Sequence, residues 1–164
     1  MPAPVTAYVA LGSNIGDRAA HLAAAVAALE ALPGTRVTAV SPTYETAPVG
    51  PAGQDNYFNA VAALVTSLPP LALLDHLLAI EQTRGRLRRE RWGPRTLDLD
   101  LLLHGDTTLD DPRLTLPHPS MILRAFVLAP LADLAPDLLL AGRPVNAHLA
   151  SLDSSGILRL PTSF

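Results

Sequence analysis

The chain has 164 residues, 49% hydrophobic and 16% charged, a size and composition that suit one globular domain and exclude a disordered chain. A formal net charge of -3 excludes a global basic field for nucleic acid, and the lack of cysteine excludes disulfides and thiolate metal sites. Aromatic residues are only 4%, so Ala, Leu and Val must build the core.

Val5 to Leu11 alternates as a first strand, and Gly12-Ser13-Asn14-Ile15-Gly16-Asp17 reads as a turn cluster. Asp17 can cap a helix to about Leu32 with Leu22, Val26 and Leu29 on one face, stopped by Pro33-Gly34. Arg36 to Tyr44 reads as a second strand. Ala47 to Asn56 reads as a loop punctuated by Pro48, Gly50-Pro51 and Gly53, and Tyr57 to Val65 as a third strand. Pro69-Pro70 opens a second helix with Leu74, Leu77 and Ile80 inward, fading near Gly85. An arginine-dense stretch, Arg86 to Arg95, precedes a fourth strand at Leu97 to Leu103. A Pro-flanked segment (Leu114 to Pro119), a helix from Met121 to about Leu134 and a short tail complete the chain.

The order strand, helix, strand, strand, helix, strand predicts an α+β, ferredoxin-like βαββαβ sandwich: one antiparallel sheet with helices on one face and an extra C-terminal helix. No repeat or linker divides the chain, so residues 1–164 are expected to form a single domain. No basic and apolar leader opens the sequence, and no apolar run of about 18 residues crosses a membrane. The expectation is a cytoplasmic monomer with neither a nucleic-acid nor a membrane partner.

Four constellations carry chemistry. Asp98 and Asp100 lie at i and i+2 of a strand, so their carboxylates share one face while Leu97, Leu99 and Leu101 fill the other. Like charges so placed disfavour joint ionisation, which a divalent cation relieves; Mg²⁺ takes one or two carboxylates plus substrate phosphates. The plainer alternative is the solvated side of an amphipathic strand. Arg84, Arg86, Arg88, Arg89, Arg91 and Arg95 are half of the 12 basic residues, set against one acid, Glu90, directly before that strand. Guanidinium forks match phosphate oxygens, whereas a solvated loop needs no such neighbour. Tyr57 and Asn59, again at i and i+2, can stack on and hydrogen-bond a flat heterocycle with Phe126 as the opposite ring, or serve the core. Trp92, inside the arginine stretch, is either a packed anchor or a lid. His118, held between Pro117 and Pro119, can bind phosphate or ribose, donate a proton, or simply hold its loop. A Walker loop and a nucleophile elbow are both missing, so the nucleophile belongs to the substrate.

The segment Arg91-Trp92-Gly93-Pro94-Arg95-Thr96-Leu97-Asp98-Leu99-Asp100-Leu101-Leu102 resembles the signature of the 6-hydroxymethyl-7,8-dihydropterin pyrophosphokinases. Support is distributed through Ala10 to Asp17, Tyr44 to Gly50, Tyr57 to Ala60, Pro117 to Pro119, Arg124 to Phe126 and Leu128 to Leu131. The resemblance implies the ferredoxin-like fold, two Mg²⁺ ions, ATP as donor, AMP as product and a place in folate biosynthesis. It assigns the pterin to Thr46, Val49 (through its backbone), Tyr57, Asn59, Phe126 and Arg124. Both metals fall to Asp98 and Asp100, which with Arg86 and Arg95 form the catalytic set. Glu81, Arg86, Arg88, Arg95, Leu101, Arg113, Thr115 and His118 would line the ATP. Arg91 and Trp92 would belong to a closing loop. Pro119 and Ser120 stand where many relatives carry Arg or Tyr, and Ala47 where Pro is frequent. The competing readings are an RNA-binding domain on the same fold, which the acidic charge and few aromatics oppose, and a small-molecule-binding regulatory domain, which has no need of an Asp pair beside arginines.

Overall fold

A computed structural model describes residues 3–47, 56–85 and 96–161. The first strand, β1 (Val5–Ser13), takes in Gly12 and Ser13, two residues the sequence assigns to the turn. Helix α1 (Arg18–Glu30) follows; the Asp17 carboxylate accepts the Ala20 N–H at 3.1 Å, as its capping position requires. Leu22, Ala25 and Leu29 are its buried stripe, with Val26 partly buried beside them.

The expected strand over Arg36–Tyr44 is two strands, β2 (Thr35–Val40) and β3 (Tyr44–Thr46). Pro42 has no amide hydrogen for a ladder, and Ser41 covers the gap: its N–H donates to the Val61 carbonyl, and its Oγ accepts the Val61 N–H, each at 2.9 Å. Strand β4 (Tyr57–Thr66) pairs with both, and α2 (Pro70–Thr83) starts at a proline suited to a first helical position. Leu73, Leu77, Ile80 and Glu81 are its buried residues; Leu74, expected inside, is only half-buried because it borders a groove.

Strand β5 (Asp98–His104) closes the sheet on the other edge. The Pro-flanked segment holds a hairpin of β6 (Leu109–Asp111) and β7 (Leu114–Leu116), turning through Pro112 and Arg113. The expected helix from Met121 is broken: a single 3-10 turn (Met121–Leu123) leads to an extended Arg124, and α3 runs over Ala125–Leu134. What reads as a tail contains a hairpin of β8 (Leu139–Leu140) and β9 (Arg143–Pro144), helix α4 (Val145–Ala150) and strand β10 (Ile157–Arg159).

The main sheet has the order β10-β3-β4-β1-β5, with β2 also paired to β4, and all its pairings are antiparallel. This is the ferredoxin-like arrangement with one added edge strand. Helices cover both faces, which corrects the one-sided expectation. Ala7, Val9, Leu11, Ala60, Ala62, Leu64, Leu97, Leu99 and Leu101 pack under α1 and α2. Val61, Leu102 and Leu103 face the other way, against Val127, Leu128 and Leu131 of α3 and Val145 of α4. A register shift between Tyr8 and Val9 leaves Leu102 unopposed in β5, so alternation stops there and Leu102 and Leu103 both join the second core. Up to that point alternation is strict, and it commits Asp98 and Asp100 to the α3 side.

Candidate active site

The α3 face of the sheet is built row by row from strand register. Tyr44 stands opposite Asn59, Asn59 opposite Gly12, and Gly12 opposite Asp98, so four strands place these residues in one line. The next line carries Val61, Ala10 and Asp100. On the other side Thr46 is opposite Tyr57. Residues paired across antiparallel strands project to the same face, so the aromatic-amide cluster and the acidic pair share one surface with only Gly12 between them. A Cβ at Gly12 would stand 3.2 Å from Asn59 Oδ1, 3.6 Å from Tyr57 Cδ1 and 3.9 Å from Asp98 Cβ. Glycine inside a strand marks a close approach, and here it lets Asn59 and Tyr57 come close to the backbone between two groups of polar side chains.

On the amide side, Asn59 and Thr46 are buried, and the Asn59 Nδ2 donates to Thr46 Oγ1 at 2.7 Å. That bond directs the amide nitrogen to Thr46 and leaves the amide oxygen facing Gly12. Phe126 sits one residue into α3 and packs on this same side of the sheet, with the Arg124 guanidinium 5.8 Å from its ring centroid. Behind the sheet, Arg18 lies 4.0 Å over the Phe58 ring, pairs with Glu45 at 3.3 Å and donates to the Asn56 carbonyl at 2.8 Å. It thereby ties the start of α1 to β3 and to the start of β4. Val49 lies outside the described residues.

On the acidic side, Asp98 and Asp100 are both half-exposed on β5, while Leu97 and Leu99 beside them are buried. A groove of about 240 Å³ runs from Asp100 along Leu101, Thr115, Arg113 and His118, with Leu74 and Leu99 as its apolar wall. Four of the residues expected along a nucleotide thus line one groove with Asp100, and Asp111 of β6 borders it as well. Arg113 forms an exposed ion pair with Asp75, a kind of contact weak enough to yield to a phosphate. Glu81 is placed differently: it is buried, and its Oε2 accepts the Leu99 N–H at 2.8 Å, satisfying the open edge of β5. At the end of α2, Arg84 Nε donates to His21 Nδ1 at 3.0 Å, which anchors the point where the arginine-dense segment begins. Arg86, Arg88, Arg89, Arg91, Trp92 and Arg95 lie outside the described residues.

His118 joins the two sides. Its backbone N–H donates to the Leu102 carbonyl at 2.9 Å, which seats the loop on β5. Burial, then the nearby Arg124 guanidinium, hold its pKa below 6.5 against the opposing pull of Asp98. The imidazole is therefore neutral at pH 7. Its Nδ1 accepts the Ser120 N–H at 3.2 Å, which leaves the proton on Nε2. A neutral Nε2–H beside an arginine and a carboxylate is a donor suited to a phosphate oxygen. Among the described residues no group of three or more His, Cys, Asp or Glu side chains gathers as a protein-only metal cage. Two half-exposed carboxylates beside an open groove fit instead a hard cation that takes its remaining ligands from substrate phosphate and water.

Sequence reasoning places Gly12 in a turn, gives Tyr44 and Asp133 no role of their own within their strand and helix, and does not mark β10. The signal for Gly12 was available, since a glycine extending an alternating strand calls for a close neighbour. The others depend on contacts between distant segments.

The sequence profile described as 7,8-dihydro-6-hydroxymethylpterin-pyrophosphokinase (HPPK) matches residues 8–136. The chain is 57% identical over 155 residues to the 2-amino-4-hydroxy-6-hydroxymethyldihydropteridine pyrophosphokinase of Pseudomonas aeruginosa, covering 94% of this chain and 96% of that one. It is 51% identical over 154 residues to the enzyme of the same name from Methylorubrum extorquens, covering 94% and 98%. In fold it resembles a solved HPPK-DHPS in complex with substrates, with a TM-score of 0.71 at 13% identity, over 92% of this chain and 43% of that longer one. It also resembles the wild-type HPPK-DHPS of Plasmodium falciparum with pterin and p-hydroxybenzoate, with a TM-score of 0.71 at 15% identity, over 90% and 41%.

Proposed function

The chain belongs to the 7,8-dihydro-6-hydroxymethylpterin-pyrophosphokinase family, and from that premise we propose how its site divides the work. The reaction is transfer of pyrophosphate from ATP to the hydroxymethyl group of 6-hydroxymethyl-7,8-dihydropterin, giving AMP and the pterin diphosphate for folate biosynthesis. The observation that carries the residue assignment is the shared sheet face: Thr46, Tyr57 and Asn59 on one side of Gly12, Asp98 and Asp100 on the other.

In this reading the pterin ring enters a slot above Gly12, between Asn59 and Asp98. Asn59, with its amide fixed by Thr46, reads the paired donors and acceptors of the ring edge. Tyr57 and Phe126 take the ring faces, and the Val49 backbone joins them from the neighbouring loop. ATP lies along the groove of Leu101, Arg113 and Thr115, with His118 donating to its phosphates, and Arg124, beside the Phe126 ring, serves the pterin side. Arg86, Arg88 and Arg95 add charge to the same polyphosphate, and Arg91 and Trp92 belong to a loop that covers it. Asp98 and Asp100 would hold Mg²⁺, two ions in all, which when bound neutralises phosphate charge and sharpens the electrophile. The substrate hydroxyl oxygen forms its new bond to the β-phosphorus as the bond from that phosphorus to the α-phosphate bridging oxygen breaks, and AMP leaves with that oxygen. Asp98 is in register next to Gly12 and so nearer Asn59 than Asp100 is; its carboxylate is the acceptor we assign to the hydroxyl proton. Little covalent work falls to the protein, and catalysis rests on alignment and charge neutralisation. The enzyme is assigned to the cytoplasm as a monomer; among the described residues no helix is long and apolar enough to cross a membrane.

The test is product analysis by chromatography after mixing pure protein with Mg-ATP and 6-hydroxymethyl-7,8-dihydropterin. AMP that forms only with the pterin, in step with a pterin diphosphate, is the expected result. ADP would mean single phosphoryl transfer and a wrong reaction class. Pterin binding without nucleotide turnover would make the chain a binding protein.

A further inference from the structure

Tyr44 is buried on the α3 face of the sheet, in the register line that continues through Asn59 and Gly12 to Asp98. Its hydroxyl does not point into the slot. It donates to Asp133 Oδ2 at 2.5 Å, bridging β3 to the C-terminal half of α3 across 89 residues of sequence. A hydroxyl donating to a carboxylate is among the stronger hydrogen bonds a protein makes. Burial, then Asp133 itself, push the Tyr44 pKa up to about 12, so the hydroxyl keeps its proton throughout the working range.

Asp133 lies seven residues after Phe126, two turns along the same helix, and positions at that spacing share a face. Between them stands Pro130, inside the helix. It has no amide hydrogen to return to the Phe126 carbonyl, and its ring crowds that turn. The helix therefore lacks one of its own restraints at Phe126. An external one is needed to fix how far α3 slides and rotates on the sheet. The buried apolar contacts of Val127, Leu128 and Leu131 hold the helix down, but apolar packing is non-directional and does not set rotation sharply. The Tyr44–Asp133 bond is directional and sits on the strand that also carries Thr46.

We infer that Tyr44 and Asp133 are positioning residues for the substrate ring: their bond sets the place of Phe126 over Tyr57 and Asn59 without itself touching substrate. This rests on the reading that Phe126 and Asn59 hold the pterin. Misplacement of a ring-holding side chain by a fraction of an ångström weakens binding at that subsite and leaves the nucleotide groove alone.

The experiment measures KM for the pterin, KM for ATP and kcat in Tyr44→Phe, Asp133→Ala, Asp133→Asn, Phe126→Ala and the Tyr44→Phe/Phe126→Ala double variant, with thermal melting as a check on folding. Tyr44→Phe and Asp133→Ala are expected to raise the pterin KM about tenfold with the ATP KM unchanged. Asp133→Asn keeps an oxygen acceptor for the hydroxyl and is expected to stay close to the parent. In the Phe126→Ala background Tyr44→Phe should add nothing, because its effect passes through that ring. A normal pterin KM in both Tyr44→Phe and Asp133→Ala, an equal rise in both KM values, or full additivity with Phe126→Ala would overturn the inference. A normal pterin KM in Phe126→Ala would overturn the ring-site reading beneath it, and the inference with it.

Discussion

Replacing Gly12 with alanine separates binding from stability. Gly12 lies in a regular part of β1 and is not one of the glycines with a positive φ, so alanine adopts its backbone without strain. Glycine in a strand is worse than alanine by roughly 0.5–1 kcal/mol, and the substitution regains part of that through the unfolded chain. Against it stands the new Cβ, 3.2 Å from Asn59 Oδ1, where an ordinary contact needs roughly 3.5 Å. The amide must move by about 0.3 Å, and it is held by the 2.7 Å bond from its Nδ2 to Thr46 Oγ1. Straining or breaking that bond costs about 1 kcal/mol, and more if a buried donor is left unpaired. The two terms nearly cancel in folding, so Tm should move by no more than a few degrees. They do not cancel in binding, because the methyl also fills the slot. At 1.4 kcal/mol per factor of ten, the pterin KM is expected to rise about tenfold or more. Steady-state kinetics with each substrate varied, together with thermal melting, provides the assay. An unchanged pterin KM in a folded Gly12→Ala protein would refute the slot, and a large fall in Tm would refute the assumed backbone tolerance.

Three further outcomes follow from the site. Asp98→Ala is expected to lower kcat by about 10³-fold or more by opening the cation clamp, and a near-normal rate across an Mg²⁺ titration would remove Asp98 from that role. The His21 and His118 pKa values are both held below 6.5 by burial first and an arginine second. Between 6.5 and the folded values the unfolded chain binds more protons. The stability linked to these groups is therefore fully present above pH 6.5 and lost as pH falls through the folded pKa values; melting from pH 7.5 to 5 should show a shallower acid slope in His21→Gln, and an identical slope would contradict the assignment. With a pKa raised to about 12, Tyr44 should give a late phase in ultraviolet absorbance that Tyr44→Phe abolishes; its stabilising contribution is complete below pH 10 and lost as pH rises through 12.

The sequence made legible those features that local periodicity encodes. Asp98 and Asp100 share a face because side chains alternate, and the structure keeps that alternation until the bulge at Leu102. Asp17 caps α1 because its side chain reaches an amide three residues on. The second strand reads through Pro42 because β-favouring residues continue on both sides of it; the break is covered by the Ser41 hydroxyl reaching β4, a contact between distant segments. Arg124 interrupts the expected helix for a similar reason: the 3-10 turn and the helix after it are both apolar runs, and only their docking distinguishes them. Glu81 is placed along the nucleotide by the resemblance alone, and no local pattern announces the bond its Oε2 accepts from the Leu99 N–H on the open edge of β5. Strand β10 is three residues between Gly156 and Pro161, too short a run for periodicity to mark it. It exists because β3 offers an unpaired edge, to which Ile157, Leu158 and Arg159 add opposite Thr46, Glu45 and Tyr44.

That last pairing bears on how the molecule is made. During synthesis the amino-terminal half emerges first, and β1, β3 and β4 can pair while the rest of the chain is still inside the ribosome. Thr46 and Asn59 are then present, but α3 has not yet brought Phe126, and the outer edge of β3 stays open to any passing strand. The nascent chain thus carries half of the proposed ring pocket and an adhesive border before the chain is complete. Arrival of Ile157–Arg159 seals that border, so the final described strand acts as a built-in guard against mispairing as much as a support for the site.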